Sequence, residues 1–317
     1  MRLRSSGRLG AVLLALLPVL ALPACNQEAP ELSAPPDGQT TARIPINDEA
    51  PGFGGFSALE VLEDGGRFIA LSDGGLLVQG DLQRDARGQL TGARVTSRHW
   101  LVRPDGHRVR QKEQDPEGLA LLSDGRLILS FEDFTTPWIY EGALGHPDGT
   151  RLPAPDTLEN PPDSPILGTN KAYEAAAVDA QGRLILIPER PAGGGRLHPI
   201  WRLDGDGWSR VADWPRDAGF LPVGADLGPD GQLYVLERAF GLGFAGRIRR
   251  IDLAQPERAP QLVTLLPGDR RSNYEGLSAW VDDSGTLRLT MISDNNFTTL
   301  LNQQILEISL AGSPGSG

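Results

Sequence analysis

The chain has 317 residues, with 39 Gly, 26 Pro, a single Cys and a formal net charge of −11. One cysteine excludes a disulfide framework within the chain, and the acidity argues against nucleic acid or an anionic membrane as a partner surface. It leaves open cations, or an anionic ligand bridged by a cation.

At the N-terminus, Arg2, Arg4 and Arg8 precede an apolar run from Leu9 to Leu22 that only Pro18 interrupts, followed by Pro23, Ala24 and Cys25. Positive charge, apolar stretch and small residue in that order make a secretory signal. The run falls short of the roughly 20 apolar residues a spanning helix needs. Leu22 to Cys25 resembles the lipobox of bacterial lipoproteins, so residues 1–24 are expected to be removed and Cys25 lipidated. A plain signal peptide with an incidental Cys is the alternative. Residues 25–41 are poor in large apolar side chains and read as a tether. Residues 42–311 form the folded domain and 312–317 a disordered tail. The expected location is the bacterial cell envelope, exported and lipid-anchored, in the outer membrane or facing the periplasm. The protein is expected to be a monomer.

One unit then recurs. FSALEVLEDGGRFIALSDG from Phe56, PEGLALLSDGRLILSFED from Pro116, YEAAAVDAQGRLILIPER from Tyr173, VGADLGPDGQLYVLER from Val223 and YEGLSAWVDDSGTLRLTMISDNN from Tyr274 share one design. A small-residue stretch leads into an apolar strand, a turn at Gly often preceded by Asp, a second apolar strand and a polar end. Aligned starts at Ser57, Glu117, Glu174, Val223 and Glu275 are spaced 60, 57, 49 and 52 residues apart. A period near 50 residues with Asp-Gly hairpin signals predicts an all-β propeller. Strands such as Leu184 to Ile187, apolar on both faces, suit blades covered on both sides.

Outer strands are predicted at His198 to Leu203, Trp208 to Ala212, Ile248 to Leu253 and Gln261 to Leu265. Ala42 to Ile46 and Gln304 to Leu310 are expected to pair and close the ring. Five blades are recognisable, and a sixth is expected in the irregular stretch from Gly80 to Val109. A two-sheet sandwich is the rival architecture.

Equivalent positions in successive blades converge on one channel mouth. Going in, the repeats carry Glu117, Glu174 and Glu275, with Asp226 three positions later in the fourth copy. Coming out, they carry Asp73, Glu132/Asp133, Glu189/Arg190, Glu237/Arg238 and Asp294 to Asn296. Crowded carboxylates need a cation or matched arginines, spread their pKa values and offer acid and base partners. Glu117, Glu174 and Glu275 are the candidate catalytic residues. Asp73, Glu117, Glu275 and Asp294 are the candidate ligands of a divalent cation, Ca²⁺ by preference. Lys171, Arg190, Arg238 and Asn296 are the candidate substrate contacts. The alternative is that each Glu caps a blade turn, with Glu132 and Asp133 structural and Glu189/Arg190 and Glu237/Arg238 exposed pairs of little consequence.

Other chemistries find no pattern. Gly55 to Leu59 lacks the final Gly of a serine-hydrolase elbow. His99, His107, His146 and His198 show no zinc spacing, and no Walker loop occurs.

NYEGL at Asn273 to Leu277, SDNNF at Ser293 to Phe297, LERAF at Leu236 to Phe240 and the string from Pro116 to Asp133 resemble the phytase-like family described as having esterase-like activity. The resemblance spans Gly52 to Leu310. It implies an exported propeller acting on a small-molecule phosphoester or other ester, with Ca²⁺ bridging acidic side chains to substrate. Ala175 replaces the usual Gly after Glu174, and Val223 replaces an acid, so the ring of acids is incomplete and weighted toward copies two, three and five. The working expectation is a cell-envelope hydrolase. A non-catalytic propeller that binds a ligand or partner, and a lactonase-type propeller with one metal at the same mouth, are the alternatives.

Overall fold

The computed structural model describes residues 38–310 apart from 63–64, 111–114, 133–135, 164–172, 218 and 268–269. The signal segment, Cys25, most of the tether, Lys171, Asp133 and the tail lie outside the described residues.

After β1 (Gly38–Pro45), the strands come in consecutive groups. Blade one is β2 (Phe56–Val61), β3 (Arg67–Ser72), β4 (Leu76–Arg84) and β5 (Leu90–Trp100). Blade two is β6 (Pro116–Leu121), β7 (Leu127–Phe131), β8 (Trp138–Tyr140) and β9 (Asp156–Thr157). Blade three is β10 (Ala175–Val178), β11 (Leu184–Ile187), β12 (Leu197–Asp204) and β13 (Gly207–Pro215). Blade four is β14 (Leu221–Leu227), β15 (Gln232–Phe240), β16 (Phe244–Asp252) and β17 (Gln261–Leu265). Blade five is β18 (Asn273–Val281), β19 (Leu287–Asp294) and β20 (Gln304–Leu310), with β1 as its outer strand.

Every pairing within a blade is antiparallel. The ring closes as the sequence predicts, with β1 on β20 from Gly38↔Leu310 to Pro45↔Gln304. That junction covers the edges that two chain ends would otherwise expose. β1 starts four residues inside the stretch read as tether.

The sixth blade is a correction. Gly80 to Val109 supplies the end of β4, all of β5 and the linker to blade two. The long β4–β5 hairpin fills the outer half of blade one, and its alternating exposure is that of a blade rim.

Packing explains the period. The inner strands β2, β6, β10, β14 and β18 each neighbour the inner strands of two other blades. Between adjacent blades lie five apolar clusters, for example Phe56, Leu59, Phe68, Trp280 and Ile292 between blades five and one. Because both faces of each blade are covered, the second strands are apolar throughout. At Asp124-Gly125 and Asp230-Gly231, glycine takes φ of 86° and 78° to reverse the chain between first and second strands.

A ring of five is narrow. The position after each aligned start is small, Ala58, Gly118, Ala175, Gly224 and Gly276, because neighbouring backbones approach there. A Cβ on Gly276 would lie 2.6 Å from the Leu59 amide nitrogen. Only about 10 Å³ remains at this waist, which Ser57, Gly118, Gly224 and Gly276 help to line. The axial channel is thereby divided into two ends.

Candidate active site

At the mouth where the inner strands begin, a register shift recurs. It falls between Phe56 and Ala58, Pro116 and Gly118, Pro222 and Gly224, and Tyr274 and Gly276. The extra residues are Ser57, Glu117, Val223 and Glu275, and in blade three Glu174 stands just before β10. A bulge re-aims its side chain. Five equivalent positions thus form one ring of Ser57, Glu117, Glu174, Val223 and Glu275.

A second ring comes from the ends of the second strands. Counting two residues past the partners of Ala58, Gly118, Ala175, Gly224 and Gly276 gives Asp73, Glu132, Glu189, Arg238 and Asp294. Blade four, which lacks an acid in the first ring, supplies the cation in the second. Blade one contributes Asp73. The site therefore draws on all five blades, with most of its acids on blades two, three and five.

Arg238 is the hub. Its Nη1 donates to Glu275 and to Asn273 Oδ1 (3.3 Å), and its Nη2 lies 3.5 Å from Glu189 and 3.9 Å from Glu174. Asn273 Nδ2 donates to Glu275 Oε1 at 2.8 Å and to Asp294 Oδ2 at 3.3 Å. Among the described residues, the side-chain donors to Glu275, Arg238 and Asn273, both meet Oε1. Arg190 sits at the rim, its Nε 3.0 Å from Glu189. Asn296 is exposed and reaches the site through its backbone N–H, which donates to Asp294 Oδ1 at 2.6 Å.

Beside Glu117 stand Asp115 and Glu132, with one carboxylate oxygen from each lying within 4.8 Å of the others. Asp115 takes a left-handed backbone, φ 36°, and its carbonyl accepts the Glu132 N–H at 3.0 Å. Aspartate tolerates that conformation, and here it turns the chain into the bulge. Three carboxylates at this spacing, with no imidazole or thiolate among them, suit a hard divalent cation such as Ca²⁺ or Mg²⁺.

The crowding is electrostatic. Burial pushes Glu117 and Glu174 well above the usual carboxylate range, reinforced by neighbours that include Glu275 and Glu132. Burial, then Asp294, Asp115 and Glu275, bring Asp73 to about 8. Glu275 is raised by burial to about 7, with Arg238 pulling against the rise. Asp294 is raised by burial as well. Burial works against the charge on Arg238, but Glu275, Glu174 and Glu189 outweigh it.

A carboxyl raised in the fold still holds a proton that the unfolded chain has released. Stability therefore falls as pH climbs from the unfolded to the folded pKa. His99 and His198, lowered by burial, act in the opposite sense only below their ordinary 6.5. Between pH 6.5 and 8 the melting temperature of the metal-free protein is expected to fall, followed by circular dichroism. A flat or rising profile over that window would contradict the buried carboxyls described here.

The structure brings together Asp73, Glu117, Glu174, Glu275, Asp294 and Arg238. Sequence reasoning missed Asp115 and Asn273 and set Glu132 aside as structural. Asp115 and Asn273 both stand two residues before a Glu of the first ring, a coincidence visible in the aligned repeats. Two further readings need correction. Asp226 faces the opposite end of the channel. Glu237 is fully buried between blades rather than exposed.

Residues 51–297 match the family model for phytase-like proteins, described as "esterase-like activity of phytase". The chain belongs to the phytase-like family. No curated protein sequence matches this phytase-like chain. It is similar in outline to virginiamycin B lyase from Staphylococcus aureus, at 13% identity over 88% of this chain and 75% of that one, TM-score 0.37. Similarity extends to the Pan2 WD40 domain of Neurospora crassa, at 11% over 87% and 96%, TM-score 0.45. The α-L-arabinofuranosidase PaAbf62A of Podospora anserina is similar at 12% over 86% and 96%, TM-score 0.45. Likeness at this level carries no chemistry to the phytase-like mouth.

Proposed function

We propose that this phytase-like propeller is a hydrolase of phosphoesters or other esters, working at the acidic mouth with a divalent cation, Ca²⁺ by preference. One observation carries the reading. The carboxylates of two rings converge on the guanidinium of Arg238, with Arg190 pairing with Glu189 at the rim, and among the described residues they outnumber these two arginines, an arrangement whose charge calls for a further cation.

Asp115, Glu117 and Glu132 would hold the ion, with Asp73 and Asp294 close by. When bound, it supplies Lewis-acid polarisation of a carbonyl or phosphoryl oxygen and relieves the carboxylate repulsion. The remaining chemistry belongs to the chain. Glu275, near neutrality in its pKa, takes a proton from the attacking water through Oε2. Arg238 stays protonated, orients Glu275 through Oε1 and offers positive charge to an anionic oxygen of the substrate. Arg190 at the rim favours an anionic leaving group. In this reading the chain is exported and tethered through Cys25, so that the mouth meets substrates of the cell envelope.

A panel of p-nitrophenyl phosphate and carboxylic esters, assayed with the mature chain, tests the proposal. Turnover is expected on at least one substrate, to fall about tenfold or more when EDTA removes the cation and to return with Ca²⁺. Robust turnover that is indifferent to EDTA would remove the metal from the account. No turnover on the panel, with stable ligand binding instead, would favour a binding propeller.

A further inference from the structure

The channel end opposite the mouth opens into a separate cavity of about 590 Å³. That size lies within the usual range for small-molecule sites, about 300–1,000 Å³. Its wall mixes polar and apolar surface in nearly equal parts, the apolar part including Leu62, Leu121, Leu144, Val178, Leu227 and Trp280. Three of its polar groups, Glu60, Asp226 and Ser278, come from one level of the inner strands, three residues beyond the first ring. There the five blades carry Glu60, Ala120, Ala177, Asp226 and Ser278. The two acids stand on either side of the serine.

Ser278 Oγ lies 3.4 Å from both Glu60 Oε2 and Asp226 Oδ2, and it accepts the Val61 N–H at 3.0 Å. A hydroxyl has one hydrogen to give, so it cannot bond both acids at once. Asp226 is fixed by the N–H groups of Ala279 (2.7 Å) and Leu227 (2.8 Å). Asp179, which also lines the cavity, is held by Arg183 at 2.6 Å. Arg67 is the basic side chain on the wall among the described residues.

We propose that this cavity is a second binding site, for an organic cation whose ammonium group seats between Glu60 and Asp226 and whose apolar body lies against the leucines and Trp280. Glu60 accepts the Leu121 N–H and Asp226 two N–H groups, but none of these neutral donors carries charge; an ammonium supplies several donors and a positive charge between the two acids. A metal ion fits less well, because Ca²⁺ seeks six to eight oxygen ligands and this level offers two carboxylates and one hydroxyl, with Asp226 and Asp179 already held by N–H groups and by Arg183. Burial and the charge of Asp226 also raise the Glu60 carboxyl, a cost that a cation seated between the two acids relieves. The waist separates this site from the mouth, so the inference stands apart from the proposed hydrolysis.

Calorimetric titration of the full mature chain with phenethylammonium chloride, and with its neutral isostere 2-phenylethanol, tests it. Saturable one-to-one binding of the amine is expected, with the alcohol weaker by about tenfold or more and a similar loss in Glu60→Gln. Leu144→Trp, which fills the cavity, should weaken binding as well, while Glu275→Gln at the mouth should leave it within about twofold. The comparison of amine with alcohol needs no variant, so misfolding of a mutant cannot rescue the idea. Equal binding of the two, no saturable amine binding, or loss of amine binding in Glu275→Gln would each overturn it.

Discussion

Glu275→Gln is expected to lower kcat by about 10²- to 10⁴-fold on whichever ester the protein hydrolyses, the span typical for loss of a general base. KM should change little. The amide oxygen of Gln can still accept from Asn273 Nδ2 and from Arg238, which both address Oε1 in the wild type. What the amide cannot do is take a proton. The variant therefore keeps the architecture of the mouth and loses its base. Folding should be nearly unaffected, since Arg238 keeps Glu189 and Glu174 nearby and the mouth sheds one of its repelling carboxylates. Steady-state kinetics and a thermal melt read the two quantities separately. A fall confined to KM, or no fall, would assign Glu275 to binding or to structure.

Glu237→Ala is expected to destabilise the fold by about 3–5 kcal/mol, the usual result of removing one partner from a buried ion cluster. Glu237 is fully buried. It accepts from Arg247 Nε at 2.7 Å, from Arg249 Nε and Nη2 at 2.6 Å and from Trp214 Nε1 at 3.1 Å. Trp214 belongs to blade three and the arginines to blade four, so one carboxylate joins two blades. Its loss leaves the buried Arg249 with the Pro215 carbonyl but no described carboxylate partner, and the indole N–H without its acceptor. At about 2–4 °C per kcal/mol for a large domain, the melting temperature should drop by roughly 6–20 °C. Glu307 does the same work between blades five and one, gripped by Arg84 at 2.8 and 2.9 Å and by Arg288 at 3.2 Å. A drop of only a degree or two would show that the cluster relaxes or takes in water. These are costs of deletion, and the whole cluster against a well-packed apolar one need not be favourable.

Glu237 and Arg238 also show how far the sequence could be read. The repeat was legible because each blade must solve the same problem, a small residue where backbones meet and an apolar second strand covered on both faces. Closure by the first and last strands was legible for the same reason. Which member of each polar pair faces the channel was not. Side chains alternate along a strand, so a shift of one residue exchanges the channel for the space between blades. The register depends on a bulge that only the pairing reveals. Glu237 and Arg238 accordingly have opposite fates, one locking blades and the other anchoring the mouth. Asp115 was hidden in a different way. Before Pro116 it reads as a turn residue, and its carboxylate joins Glu117 and Glu132 only through its left-handed backbone. The phantom sixth blade arose because the outer hairpin of blade one, Leu76 to Trp100, and the linker after it carry no copy of the repeat. Length alone then suggested another unit.

Whether the acidic mouth is built around a cation is settled most directly by calorimetric titration of the metal-free mature chain with Ca²⁺ at pH 7.5. Saturable binding with release of protons from the raised carboxyls is expected, weakened strongly in Asp115→Asn and Glu117→Gln and unchanged in Glu60→Gln. Absence of saturable binding, or binding that survives both mouth substitutions, would contradict the account.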